Sequence, residues 1–144
     1  MNPRLLVATG NCHKTAEIGS ILGPAWVVLD LTALPPTPPV EETGATFEAN
    51  ARLKASAASR GFAGIVLADD SGLEVDALGG RPGVRSARYA GPHATDAGNR
   101  ALLLRELAAA DARGSLRSAR FRCAIALASE GAVWAVCELS LIHI

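Results

Sequence analysis

Short apolar runs alternate with amphipathic stretches along this chain. Arg4-Leu5-Leu6-Val7-Ala8-Thr9 is nearly continuous apolar sequence that breaks at Gly10-Asn11, after which Lys14 to Leu22 carries Ala16, Ile18, Ile21 and Leu22 at helical spacing. This pattern predicts a strand, a tight turn and a helix. Trp26 to Leu31 is a second strand candidate, and Leu34-Pro35-Pro36-Thr37-Pro38-Pro39-Val40 after it must be an extended connector, because proline lacks a backbone donor and restricts its predecessor. Thr46 to Arg60 is rich in good helix formers, with Phe47, Ala51, Lys54 and Ala55 recurring at three to four residues. A buried strand is expected at Gly64-Ile65-Val66-Leu67, ending at Asp69-Asp70, and a second, half-exposed one at Leu73 to Leu78, ended by Gly79-Gly80.

The second half continues the alternation. Arg81 to Gly91 reads as a loop rich in glycine and arginine, and Thr95 or Asp96 can cap a helix to Ala110 that buries Leu102, Leu103 and Leu107. Ala119 to Ala128 and Ala132 to Glu138, separated by Ser129-Glu130-Gly131, make a natural hairpin. Strands alternating with helices imply an α/β sandwich, with the hairpin making the sheet mixed. The apolar ending Leu139-Ser140-Leu141-Ile142-His143-Ile144 lacks polar termination, and is expected to be a truncation or fusion scar after a single, incomplete domain of residues 1–138.

Composition narrows the function. The 144 residues, 49% of them hydrophobic, suffice for one core. Fourteen basic residues balance fourteen acidic ones, and only 4% are aromatic, so neither a global field nor a stacking platform points to nucleic acid or to an anionic membrane. Anion binding must therefore be local. Cys12, Cys123 and Cys137 are odd in number and widely spaced, which favours reduced thiols and a cytoplasmic location. No apolar run approaches the roughly 18 to 20 residues of a membrane-spanning helix.

Asp69-Asp70-Ser71 is the segment hardest to explain by packing, since an unpaired carboxylate at the end of a buried strand costs several kcal/mol. A divalent cation such as Mg²⁺ would answer that charge; a polar turn capped by one of the acids is the alternative. Thr9-Gly10-Asn11-Cys12-His13-Lys14 lies where strand passes to helix, so backbone N–H groups and the helix dipole can cradle phosphate, with Lys14 adding charge. It lacks the glycines of a Walker loop or a dinucleotide fingerprint, and an ordinary left-handed turn would also account for it. Glu41 and Glu42 precede a helix, where acids can simply favour the N-terminus. Beside a second acidic pair and a phosphate loop they also suit a metal, and Lys54 and Arg88 could add positive charge.

Four ordered segments carry a resemblance. Thr9-Gly10-Asn11-x-x-Lys14, then Glu41-Glu42-Thr43-Gly44-x-Thr46-Phe47-x-x-Asn50-Ala51-x-x-Lys54-Ala55, then Ala68-Asp69-Asp70-Ser71-Gly72-Leu73, and finally Leu78-Gly79-Gly80-x-Pro82-Gly83-x-x-Ser86-Ala87-Arg88-Tyr89-Ala90-Gly91 resemble the inosine/xanthosine triphosphate pyrophosphatase family. The resemblance covers Leu5 to about Cys137. It implies an elongated mixed sheet flanked by helices, a homodimer, and Mg²⁺-dependent hydrolysis of ITP, dITP or XTP to the monophosphate and pyrophosphate, which keeps these nucleotides out of DNA and RNA. Carried over by position, Thr9, Gly10, Asn11 and Lys14 match the triphosphate loop, Lys54 a phosphate-side cation and Ser71 a substrate hydroxyl. Asp70 matches the proton acceptor and metal ligand, with Glu41, Glu42 and Asp69 as further metal-site acids.

The family's Phe-Gly-Tyr-Asp segment and late Ser-His-Arg motif, which hold the purine, do not occur here, and His143 is not equated with the late histidine. The chain by itself is therefore expected to be marginally stable, and an inactive nucleotide- or polyphosphate-binding fragment is the alternative to an enzyme. A pyrophosphatase for modified pyrimidines is a third reading, separable by substrate profile.

Overall fold

The computed structural model describes residues 1–143. Five strands, β1 (Arg4–Val7), β2 (Val27–Leu29), β3 (Ile65–Val75), β4 (Ala119–Ser129) and β5 (Ala132–His143), form one sheet in the order β2-β1-β3-β4-β5. Its helices are α1 (Cys12–Leu22), α2 (Phe47–Ser59) and α3 (Asp96–Ala109). Strand β1 is parallel to both neighbours, with Leu5 opposite Val28 on one side and Ile65 on the other, as crossovers through α1 and α2 require. Only Glu130 and Gly131 join β4 to β5, which leaves room for an antiparallel return alone and makes the sheet mixed, as expected. Both turn residues have positive φ, 51° and 83°, the type I′ geometry that matches strand twist.

The chain divides into two compact units, Met1–Asp69 with Ala124–Cys137, and residues 70–123 with the chain from Glu138 onward. In the first, Leu6, Phe62 and Val66 form a buried cluster against which Leu29, Leu34 and Ala58 pack. Helix α2 starts where the Thr46 side chain accepts the Ala49 N–H at 3.1 Å, and its small residues Ala51 and Ala55 are fully buried, which permits close approach. Its far end holds the hairpin turn: Ser56 Oγ donates to the Gly131 carbonyl at 2.7 Å and Gly131 N–H donates to Ser59 Oγ at 2.9 Å. In the second unit Val75, Leu78, Leu107 and Ala112 form the core, and the Thr95 side chain caps α3 through the Gly98 N–H.

The structure departs from the sequence reading in four places. The two strands expected around Asp69-Asp70 are one eleven-residue strand, β3, so the acids lie in its middle and Ser71-Gly72 is not a turn. Alternation explains this: Val66, Ala68, Asp70 and Gly72 are all buried and continue one face, a period that the acidic pair does not interrupt. Strand β2 is only Val27–Leu29 rather than Trp26 to Leu31. Strand β5 runs on through residues 139–143, where the strand was expected to end at Glu138; Ile144 lies outside the described residues.

The apolar stripe of α1 is the fourth. None of its residues is buried, and Ile21 is 82% exposed. Ile18, Ile21 and Leu22 instead border an open apolar hollow of about 400 Å³ with Leu5, Trp26 and Trp134. Periodicity reports which face a helix could bury, not what covers it. Among the described residues no helix is long and apolar enough to cross a membrane.

Burial sets the expected cost of truncation. Leu6→Ala, at a fully buried position, should lower stability by about 2–5 kcal/mol, whereas Ile21→Ala should change it by less than about 0.5 kcal/mol. Urea unfolding followed by circular dichroism measures both.

Candidate active site

The loop from β1 into α1 is built by two short-range hydrogen bonds. Asn11 is the N-cap, its Oδ1 accepting the His13 N–H at 3.0 Å, and Thr9 Oγ1 accepts the Asn11 N–H at 3.1 Å. Each side chain uses an acceptor and keeps donor hydrogens, the Asn11 amide and the Thr9 hydroxyl, which an anion requires. The first turn of α1 holds no acid, so the positive end of its dipole is not offset from within the helix. Gly10 lies outside the positive-φ glycines, which removes the left-handed turn as an explanation, and a Cβ built on it would meet nothing within 4 Å. Neither backbone conformation nor packing demands glycine there.

Strand β3 separates its two acids. Successive side chains point to opposite faces, so Asp70 shares a face with Val66 and Ala68 while Asp69 shares the other with Ile65 and Leu67. On that second face Lys14 reaches across from α1 and donates to both oxygens of Asp69, at 3.0 and 2.8 Å. The Asp69 side chain is 14% exposed and that of Lys14 37%, so water still reaches the pair and screens it. The loop cation and the first acid are thus brought together.

Glu41, Glu42, Thr43 and Gly44 lead into α2, and the Lys54 ammonium meets Glu42 Oε1 at 2.9 Å. The backbone is held separately, by the Gly44 N–H donating at 2.7 Å to Oδ1 of the fully buried Asn50. The resemblance implies Asp70 as a metal ligand, with one or more of Glu41, Glu42 and Asp69 completing the site. Among the described residues no three carboxylate, histidine or cysteine side chains are grouped closely enough to hold an ion. The reason is local: Asp69 and Asp70 are split by strand alternation, and Asp69 and Glu42 are each engaged by a lysine. The donor set still fits Mg²⁺, which takes carboxylate oxygens one or two at a time and completes its shell with water and phosphate oxygens. It does not fit a cation needing an all-protein cage.

In the second unit Asp70 is 9% exposed and Ser71 is exposed. The loop rich in glycine and arginine folds as a short 3₁₀ helix, Gly83–Arg88. Ser86 Oγ ties it to β3 by accepting the Leu73 N–H at 2.8 Å while donating to the Gly83 carbonyl at 2.6 Å. The Asn99 amide, on α3, donates to the carbonyls of Ser86 and Ala87 and accepts the Ala90 N–H. The Tyr89 hydroxyl donates to Glu106, which also pairs with Arg81 at 3.2 Å. Burial raises the Tyr89 pKa above its ordinary value of 10.0, and the Glu106 carboxylate adds to the shift. Asn50, Ser86 and Asn99 were not singled out as functional from sequence. The available signal was a polar residue placed among apolar helix positions, as at Asn50-Ala51.

Comparison with known proteins adds the identity of the pattern. The Ham1 family matches residues 5–140. A dITP/XTP pyrophosphatase of Geobacillus kaustophilus is 51% identical over 135 residues, 93% of this chain and 65% of that protein. One from Exiguobacterium sibiricum is 50% identical over 126 residues, 87% of this chain and 63% of that protein. The chain thus spans just under two thirds of these relatives' length. Among solved structures, a HAM1 protein from Coxiella burnetii superposes with a TM-score of 0.85 at 39% identity, over 97% of this chain and 71% of that one. A nucleoside-triphosphatase, dITP/XTP pyrophosphatase, from Mycobacterium abscessus does so with a TM-score of 0.84 at 41% identity, over 96% and 72%.

Two outcomes follow from this geometry. Gly10→Ala should leave the melting temperature within about 2 °C of the parent, yet weaken inorganic tripolyphosphate binding several-fold in calorimetric titration, because only a ligand feels the added methyl. Because the folded protein favours the neutral Tyr89 phenol, its contribution to stability is complete below pH 10.0 and is lost as pH rises through the elevated folded value. Tyr89→Phe should remove that alkaline limb from the pH dependence of unfolding.

Proposed function

The chain belongs to the Ham1 family, and from that premise we propose that it is the greater part of a nucleoside triphosphate pyrophosphatase for non-standard purine nucleotides. The reaction is hydrolysis of ITP, dITP or XTP at the α-phosphorus, giving the monophosphate and pyrophosphate and preventing incorporation of the deaminated base into DNA and RNA. The observation that carries this reading is the Lys14–Asp69 pair: a cation from a helix-start loop already aimed at the first of two adjacent acids, in a chain half identical to proteins named dITP/XTP pyrophosphatase.

The residues divide the work by their chemistry. Thr9, the Gly10 backbone and Asn11 donate hydrogen bonds to the triphosphate, and Lys14 exchanges Asp69 for a phosphate oxygen while Asp69 holds its side chain in place until then. Asp70 accepts the proton of the attacking water, and Ser71 contacts the substrate. Glu42, with Asp70 and with Glu41 or Asp69 as further ligands, would hold Mg²⁺, which when bound neutralises phosphate oxygens and lowers the pKa of coordinated water. Lys54, released from Glu42, supplies charge on the phosphate side. Residues 1–138 act as one pyrophosphatase domain, in a homodimeric cytoplasmic protein whose cysteines are free thiols.

The alternative is a binding role without turnover, favoured by the chain's covering 65% of its Geobacillus relative. Pyrophosphate release from ITP with and without Mg²⁺ decides between them. Asp70→Asn should lower kcat at least 10²-fold with little change in KM, because it removes the proton acceptor and keeps the shape. Mg²⁺-independent release, or an unaltered rate in the variant, would overturn the mechanism; tight ITP binding with no release would establish the binding role.

A further inference from the structure

We infer that Asn50 is a positioning residue that sets the acidic loop for a divalent cation, an inference that rests on Glu42 being one of the cation's ligands. Two tethers hold residues 41–44 to one face of α2. Asn50 and Lys54 are four residues apart and so lie one above the other on that face. Asn50, 0% exposed, fixes the backbone through the Gly44 N–H at 2.7 Å, and Lys54 engages the Glu42 carboxylate at 2.9 Å.

The tethers differ in kind. The Lys54 and Glu42 side chains are 20% and 27% exposed, and an ion pair open to water is readily exchanged. A buried amide oxygen cannot be left unpaired without the full desolvation penalty. Glu42 can therefore leave Lys54 for a cation while the loop beneath it stays in place. Gly44 completes the clamp: a Cβ there would lie 2.6 Å from Asn50 Oδ1 and 2.7 Å from the Ala49 Cβ, so any larger residue lifts the loop from the helix. A partner that orients a metal ligand typically controls affinity by 10 to 100-fold.

The test is Mn²⁺ binding to the full chain, read from the electron paramagnetic resonance signal of the free ion. It compares the parent with Asn50→Leu, Gly44→Ala, Glu42→Gln and a core control, Phe47→Leu, with thermal melts and exchange of the Gly44 amide alongside. Asn50→Leu and Gly44→Ala should each weaken Mn²⁺ roughly tenfold or more. Asn50→Leu should also speed exchange at Gly44. Phe47→Leu should lower the melting temperature and leave Mn²⁺ affinity unchanged. If Glu42→Gln weakens binding but Asn50→Leu and Gly44→Ala do not, the clamp is wrong and the ligand assignment stands. If Glu42→Gln binds like the parent, or the parent binds no Mn²⁺, the ligand assignment falls and the inference with it. Should Asn50→Leu fail to fold, Gly44→Ala decides, since it keeps every charged and polar side chain.

Discussion

The alternation of side chains along β3 is the constraint on which the site depends. One strand must bury Val66, Ala68 and Val75 and yet carry two consecutive carboxylates. Because neighbours point to opposite faces, the two acids meet different surroundings. Each needs its own answer to the cost of desolvation. For Asp69 the answer is visible: both oxygens are taken by a lysine from α1. The same rule separates their surroundings, since Asp69 is held by Lys14 on one face while the more buried Asp70 continues the face of Val66 and Ala68.

Much of this was legible in the sequence because it is written in local spacing. The strand-to-helix start at Thr9–Lys14, the Thr95 cap and the β4–β5 hairpin all involve residues close in sequence, where chemistry and backbone preference coincide. The errors share another cause. Asp69-Asp70-Ser71-Gly72 has the composition of a turn, and only pairing with neighbouring strands keeps it extended, a tertiary override of local propensity. The stripe of α1 was periodic, but periodicity carries no information on what lies opposite. Asn50 stands in a segment that carries the resemblance, but its partner is a backbone N–H, which side-chain spacing does not reveal.

Helix α2 acts as the ruler of the first unit. Its start fixes the acidic loop through Asn50 and Lys54, and its end fixes the β4–β5 turn through Ser56 and Ser59. Fully buried alanines between these points leave little room for the helix to slide. Polar contacts at both ends of one rigid rod set the separation of two distant parts of the chain by a fixed number of 1.5 Å steps.

The pairing of Lys14 with Asp69 and of Lys54 with Glu42 also bears on what the site can attract. Each lysine that could meet a phosphate is already cancelled by an acid about 3 Å away, in a chain whose formal charge is zero. Beyond a Debye length of about 8 Å such pairs project almost no field. A polyanion is therefore not drawn toward these two pairs by long-range steering, and only the exchange of one short ion pair for another makes either ammonium available. Neutral at a distance, the two ammonium groups become available only at contact range, and only to a group that displaces a carboxylate.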